Sequence, residues 1–326
     1  MEKVRINKYD NLKGLAILLV VFGHLDFMDT IGHIYSLFFL IDLPIFFFVA
    51  GYFSKIDIDQ PAKAFKRLMV PYFIFCFLIT LFHWLYMGTA KWDMIFLQSS
   101  MAMWFLISLF IMKMLLPIFD KFKFPIITAL LFALLFGLYD IHPNILGLTR
   151  TFPYMTIFLL GYYYKDYKQY VIKAHQSLYN FYDRHFKLVL IPVILATAVV
   201  YIKIESRFFI FKSPYTGNLL YEAIKRLIVL LLIMALVLIL HRVMTNRECV
   251  LTQLGRNSMA IYVIHPFIYY FFKPIWPEVF ANNIIGAFIA TCILVAITVF
   301  ILSRDPVTIY LNKFTDGVYD LITRPV

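Results

Sequence analysis

The chain has 326 residues, 62% of them hydrophobic and 15% charged, with a net charge of +11. Soluble domains are nearer half apolar and a quarter charged, so this composition excludes an ordinary soluble fold and points to a membrane protein. Cys76, Cys249 and Cys292 lie far apart in the chain, which suggests neither a disulfide framework nor a metal cluster, and no metal is expected.

Lys3, Arg5, Lys8 and Lys13 precede the first long apolar run, and no small-residue cleavage site follows it before the next run. That run reads as a retained span, not a signal peptide. Windows of about 20 apolar residues place spans near 12–29, 34–53, 68–87, 99–118, 124–140, 151–164, 187–204, 221–244, 257–275 and 283–303, the fifth and sixth being short. The expected fold class is therefore an all-α polytopic membrane protein of about ten transmembrane helices, with 1–326 as one membrane-embedded domain.

With both termini in the cytoplasm, the clusters at 3–13, 55–67, 113–123, 165–187, 242–256 and 304–324 fall inside and hold 22 of the 30 Lys and Arg residues. This agrees with the positive-inside rule, so the excess charge is a topology signal and nucleic acid is not expected as a partner. The exception is 203–226, with Lys203, Arg207, Lys212, Lys225 and Arg226, which reads either as a basic outer loop meeting an anionic or polymeric substrate or as a break in the topology. The aromatic and basic stretch YKDYKQYVIKAHQSLYNFYDRHFK suggests an interfacial helix on the lipid headgroups.

Ionisable residues inside spans cost several kcal/mol unless they face water or each other, so each is a functional candidate. At about 1.5 Å per residue from the cytoplasmic ends, His24 lies about 18 Å deep, Asp42 about 16 Å and His265 about 13 Å, which puts three titratable groups in one layer. A histidine with a carboxylate to hold its tautomer is a minimal general base for a hydroxyl attacking a carbonyl. His24 with Asp42 is such a pair; the alternatives are a histidine bonded to a neighbouring helix and a carboxylate that ties down a kink before Pro44. On a helix, His24 returns to within about 20° of Lys13 and about 16 Å along the same face. Lys13, Lys63, Lys66 and Arg67 sit at the inner headgroup level, where they either anchor lipid phosphate or cradle the phosphates of a cytosolic cofactor.

Several stretches resemble the membrane acyltransferase-3 family when taken together. YDNLKGLAILLVVFGH is similar to its N-terminal motif, in which a basic residue precedes a histidine by ten intervening positions. IDLPIFFFVAGYF, FKRLMVPY, MWFLISLF, RTFPYMTIFLLGYYYK and LGRNSMAIYVIHPF follow in the family's order. The nearest flavour is the fucose 4-O-acetylase-like and capsular polysaccharide O-acetyltransferase group. The resemblance implies an O-acyltransferase that takes acetyl-CoA as donor and a saccharide as acceptor, with membrane lipids around it, as a multi-pass protein of a bacterial plasma membrane. It implies that His24 is catalytic, that Lys13 stands where relatives have arginine, and that Lys63, Lys66 and Arg67 fall at a basic donor-binding motif. Arg150, Trp104, Asn257, Ser258, Tyr262 and His265 match recurrent positions, and Arg150, Trp104 and His265 are expected at the substrate. Asp42 departs from the pattern, since relatives often carry histidine there. His24 would serve as general base or be acylated itself. The competing class is a transporter or flippase for a lipid-linked saccharide, with midplane His and Asp relaying protons.

Overall fold

The computed structural model describes residues 5–88, 102–138, 146–281 and 283–323; the start of the span expected at 99–118 and the end of that at 124–140 lie outside them. Every described residue in regular structure is helical, and no strand occurs among them. The chain is an all-α polytopic membrane protein. Among the described residues, five helical units are long and apolar enough to cross a membrane: Ile34–Tyr52, Gln60–Met87, Phe186–Lys203, Leu219–Val243 and Ile284–Leu302. Shorter apolar helices accompany them at Trp104–Phe119 (α5), Pro125–Leu135 (α6) and Ser258–Phe272 (α13).

Helix α1 (Asn7–Leu25) carries the first expected span. The second is broken: a 3₁₀ helix at Gly32–Leu40 gives way to α2 (Asp42–Tyr52). Asp42-Leu43-Pro44 explains the break, because Pro44 has no N–H to continue a helix from the preceding turn but fits within a first turn. The carboxylate of Asp42 accepts the Leu43 N–H at 2.6 Å. A carboxylate at a helix N-terminus meets unpaired N–H groups and the positive end of the dipole, which lets it sit among apolar helices.

The third span is a continuous helix made of α3 (Gln60–Ala64), a π turn at Phe65–Met69 and α4 (Val70–Met87). The π turn places Lys66 and Arg67 together; such turns are enriched at functional sites. Helices α7 (Leu148–Tyr162), α10 (Phe186–Lys203), α11 (Leu219–Val243) and α15 (Ile284–Leu302) fill the remaining expected spans. The aromatic and basic loop forms two short helices, α8 (Tyr164–Ala174) and α9 (Gln176–Arg184). One further amphipathic helix, α16 (Asp305–Ile322), packs against α4 and α13 where the sequence reading placed only a basic tail.

The tightest helix contact joins α1 to the short helix α12 (Val250–Arg256). Gly14 and Gly255 permit it. A methyl group on Gly14 would lie 2.0 Å from the Leu251 carbonyl oxygen, and one on Gly255 1.8 Å from that of Asp10. Small residues let backbones approach where lipid removes any hydrophobic drive between helices. Asn11 completes the joint: its amide donates to the carbonyls of Thr245 and Arg247, both at 2.9 Å, and its oxygen accepts from Thr252 Oγ1 at 2.5 Å. At the start of α13, Asn257 Nδ2 donates to the Ser303 carbonyl at 2.7 Å and lies 3.0 Å from Asp305 Oδ1. These buried amides hold α1, α13 and α15 in register, and with them the midplane residues.

Candidate functional site

Helix α13 contains Pro266, whose missing N–H opens the turn around Ile261 and Tyr262. In that opened turn His265, with no exposed surface, places Nδ1 3.0 Å from the Ile261 carbonyl oxygen. A carbonyl only accepts, so His265 Nδ1 carries the proton and its Nε2 is left with a lone pair. His24 Nδ1 lies 2.9 Å from that Nε2, and the two rings are within 7° of parallel. His24 must therefore donate from Nδ1, which leaves His24 Nε2 unprotonated. One backbone carbonyl thus sets two tautomers in series and presents a basic nitrogen.

That nitrogen belongs to a side chain lining a cavity of about 180 Å³. Asp42, Tyr35, Trp104, Arg150, Tyr154, Tyr262 and Lys212 line it as well. Arg150 lies over the Trp104 ring at 4.4 Å, a cation–π contact. Tyr154 stands behind, 4.9 Å from Phe47 and 6.0 Å from Trp104 between ring centroids. The Tyr262 hydroxyl donates to the Ala102 carbonyl, which closes the wall toward α5.

Of the three residues singled out by expected depth, His24 and Asp42 line one cavity and His265 stands behind His24, which is not the pairing expected from chemistry alone. His24 bonds to His265, while Asp42 faces the same cavity and spends its carboxylate on the Leu43 N–H. Arg150 and Trp104 line the cavity as a stacked pair, and His265 stands behind His24 as its hydrogen-bond partner. Tyr35, Tyr154 and Lys212 were not singled out for the site; Lys212 carried a signal only as part of the basic segment 203–226.

A second, larger cavity of about 580 Å³ is lined by Lys63, Lys66, Arg67, Pro71 and Met259, with Leu311, Asn312, Thr315 and Asp316 from α16. Its cations differ in what they face. Lys63 Nζ lies 3.1 Å from Asp57 and 3.2 Å from Asp59, and its hydrogen bond holds the Asp57 carboxyl below the usual carboxylate range. Lys66 is 3.0 Å from Asp316 and 3.9 Å from Asp320. Arg67 makes no ion pair among the described residues. Lys13 does not line this cavity: its ammonium rests 3.0 Å from Asp10 Oδ1, on a carboxylate that also takes Arg5 at 2.5 Å. Met259 in this cavity and Tyr262 and His265 by the other stand on one helix, separated along its axis by about 4.5 and 9 Å.

A base held in a defined tautomer, a neighbouring polar cavity and a basic cavity about 9 Å away along α13 can deprotonate a hydroxyl beside a bound acyl donor. Comparison with known proteins agrees with this chemistry. Neither a curated protein nor a solved structure matches the chain. The model of the acyltransferase-3 family, described as an acyltransferase domain, matches residues 6–303. The chain belongs to that family.

Proposed function

We propose that this member of the acyltransferase-3 family moves an acetyl group from cytosolic acetyl-CoA to a hydroxyl of a cell-surface or capsular saccharide, or of its lipid-linked precursor, in a bacterial plasma membrane. The observation that carries the reading is the hydrogen-bond chain from the Ile261 carbonyl through His265 to His24 Nδ1, which in the neutral pair leaves the lone pair of His24 Nε2 free.

His24 Nε2 takes the proton of the acceptor hydroxyl as its oxygen attacks the thioester carbonyl. The C–O bond forms, the C–S bond breaks, and the imidazolium returns its proton to the departing thiolate. As His24 gains charge, its Nδ1–H bond to His265 becomes charge-assisted and strengthens, which favours the transition state over the ground state. Asp42 faces the same cavity from the start of α2, a carboxyl beside the reacting centre.

The cations of the larger cavity suit the phosphates of the donor. Arg67 supplies a guanidinium fork matched to phosphate, and Lys63 and Lys66 add positive potential tempered by their aspartates. The acyl end then runs along α13 from Met259 toward His24. Arg150, flat over Trp104, orients the acceptor sugar, whose ring stacks on aromatic faces while its hydroxyls meet polar groups.

The test is the acetyl content of surface polysaccharide in cells that express the wild-type chain or His24→Ala at equal membrane levels. The wild type adds acetyl groups and the variant does not; equal acetyl content in both would overturn the proposal. A saccharide transporter would instead change the amount of exported polysaccharide without changing its acetylation.

A further inference from the structure

The stretch from the end of α10 into the first turns of α11 carries a positive charge that its own acids do not cancel. Residues 203–226 hold Lys203, Arg207, Lys212, Lys225 and Arg226 against Glu205 and Glu222. Both glutamates are spent: Glu222 on Arg207 at 2.7 Å and Glu205 on Lys225 at 3.1 Å. Neither reaches Lys212 or Arg226, and those two converge on the cavity at His24 in different ways.

Arg226 is fully buried and works as a brace. Its Nη2 donates to the Thr149 carbonyl at 3.2 Å and to the Phe211 carbonyl at 3.5 Å. Thr149 immediately precedes Arg150, and Phe211 immediately precedes Lys212. One guanidinium therefore ties together the two backbones that deliver cations to the cavity. Both approaches depart from ordinary geometry. Phe211 has φ 52°, and Leu146 and Gly147, just before α7, have φ 51° and 63°. A left-handed conformation at a bulky side chain costs roughly 1–2 kcal/mol, so the Phe211 turn persists because its surroundings hold it. Tyr215 adds to that hold, donating its backbone N–H to the Gly137 carbonyl at 2.7 Å and its hydroxyl to the Leu134 carbonyl at 3.1 Å.

The result is a cavity wall with two cations against the single carboxylate of Asp42, which is within ion-pair distance of neither. Neither Arg150 nor Lys212 makes an ion pair among the described residues, and Arg150 Nε is buried without a hydrogen-bond partner. A guanidinium buried beside an aromatic ring with an unfilled donor is costly unless a ligand completes it. Asp42 shares the cavity but is engaged at the start of α2.

We infer that the acceptor is an anionic saccharide, whose carboxylate or phosphate is gripped between Arg150 and Lys212 while a hydroxyl of the same sugar faces His24 Nε2. The inference rests on the proposed acyl transfer for the role of the hydroxyl; the anion site stands on the cavity itself. Planar bidentate pairing suits Arg150 to a carboxylate, and Lys212 adds a point charge at the same end.

Matched acceptors separate the two levels. Purified protein in liposomes, supplied with labelled acetyl-CoA, is offered methyl glucoside, methyl glucuronide or glucose 1-phosphate; binding of each sugar without donor is followed by tryptophan fluorescence. The charged sugars should bind and be acetylated roughly tenfold or more better than the neutral one, the scale of one hydrogen bond to a charged group. Lys212→Gln and Arg150→Gln should each abolish most of that preference. Glucuronide over glucose 1-phosphate identifies a carboxylate, and the reverse identifies a phosphate. Equal binding and transfer of neutral and charged sugars would overturn the inference and leave the acyltransferase reading standing. Preferential binding of the charged sugars without acetyl transfer to any of them would support the anion site and overturn that reading instead.

Discussion

Replacing His265 by phenylalanine keeps the bulk of the side chain and removes the acceptor 2.9 Å from His24 Nδ1. The His24 N–H is then buried without a partner, and its tautomer is no longer set by the Ile261 carbonyl. Leaving one such donor unpaired costs about 1–3 kcal/mol, which at 1.36 kcal/mol per decade lowers the rate by roughly 5- to 150-fold. The loss falls on kcat and not on KM, because the bond strengthens only as His24 becomes imidazolium. His265→Gln should recover part of the rate, since its amide oxygen reaches near the position of the lost nitrogen and accepts the same proton. The assay is acetyl transfer from labelled acetyl-CoA by reconstituted protein at saturating substrates, with melting temperature as a control for folding. Wild-type kcat in His265→Phe would refute the tautomer argument. Equal loss in the Phe and Gln variants would reduce His265 to a packing residue.

Arg67→Gln is expected to raise the KM for acetyl-CoA about tenfold, the scale of one lost charged hydrogen bond, with kcat little changed. Lys63→Gln should move it much less, because Asp57 and Asp59 already hold that ammonium; initial rates against donor concentration read both. Asp42→Asn keeps an acceptor for the Leu43 N–H, so kcat should stay within about tenfold of wild type, less than the range set by loss of a general base. A collapse comparable to His24→Ala would return Asp42 to the role of direct partner to the base. Gly255→Val forces a side chain into the Asp10 carbonyl and should destabilise the detergent-solubilised protein by about 1–3 kcal/mol. A melting temperature equal to that of wild type would show that α1 and α12 are not held in close contact.

Apolar run length located the helices because lipid demands it: about 20 residues without charge have few other uses. The same criterion passed over α16, whose charged and polar residues keep it below the hydropathy of a span although it packs against α4 and α13. The broken second span was legible in Asp42-Leu43-Pro44, since proline's missing N–H acts locally. Counting residues along each helix singled out His24, Asp42 and His265, of which His24 and Asp42 line one cavity and His265 bonds to His24. Azimuth was not, because it depends on which helices touch. Asp42 was the chemically attractive partner for His24, whereas the packing of α1 against α13 supplied His265. The basic cluster at 63–67 likewise read as a lipid anchor or phosphate cradle. The pairing of Lys66 with Asp316 and Asp320 crosses about 250 residues of sequence, and no local pattern announces such a contact. Lys212 became a site residue only through the left-handed turn at Phe211 and the brace from Arg226.

The central claim is that His24 is the base of an acetyl transfer. Its most direct test is the rate at which reconstituted wild-type and His24→Ala protein move label from acetyl-CoA onto a mixture of neutral and acidic methyl glycosides. The account predicts sustained transfer by the wild type and a fall of about 10²–10⁴-fold in the variant, the range for loss of a positioned general base. Transfer by a folded His24→Ala protein at the wild-type rate would contradict it.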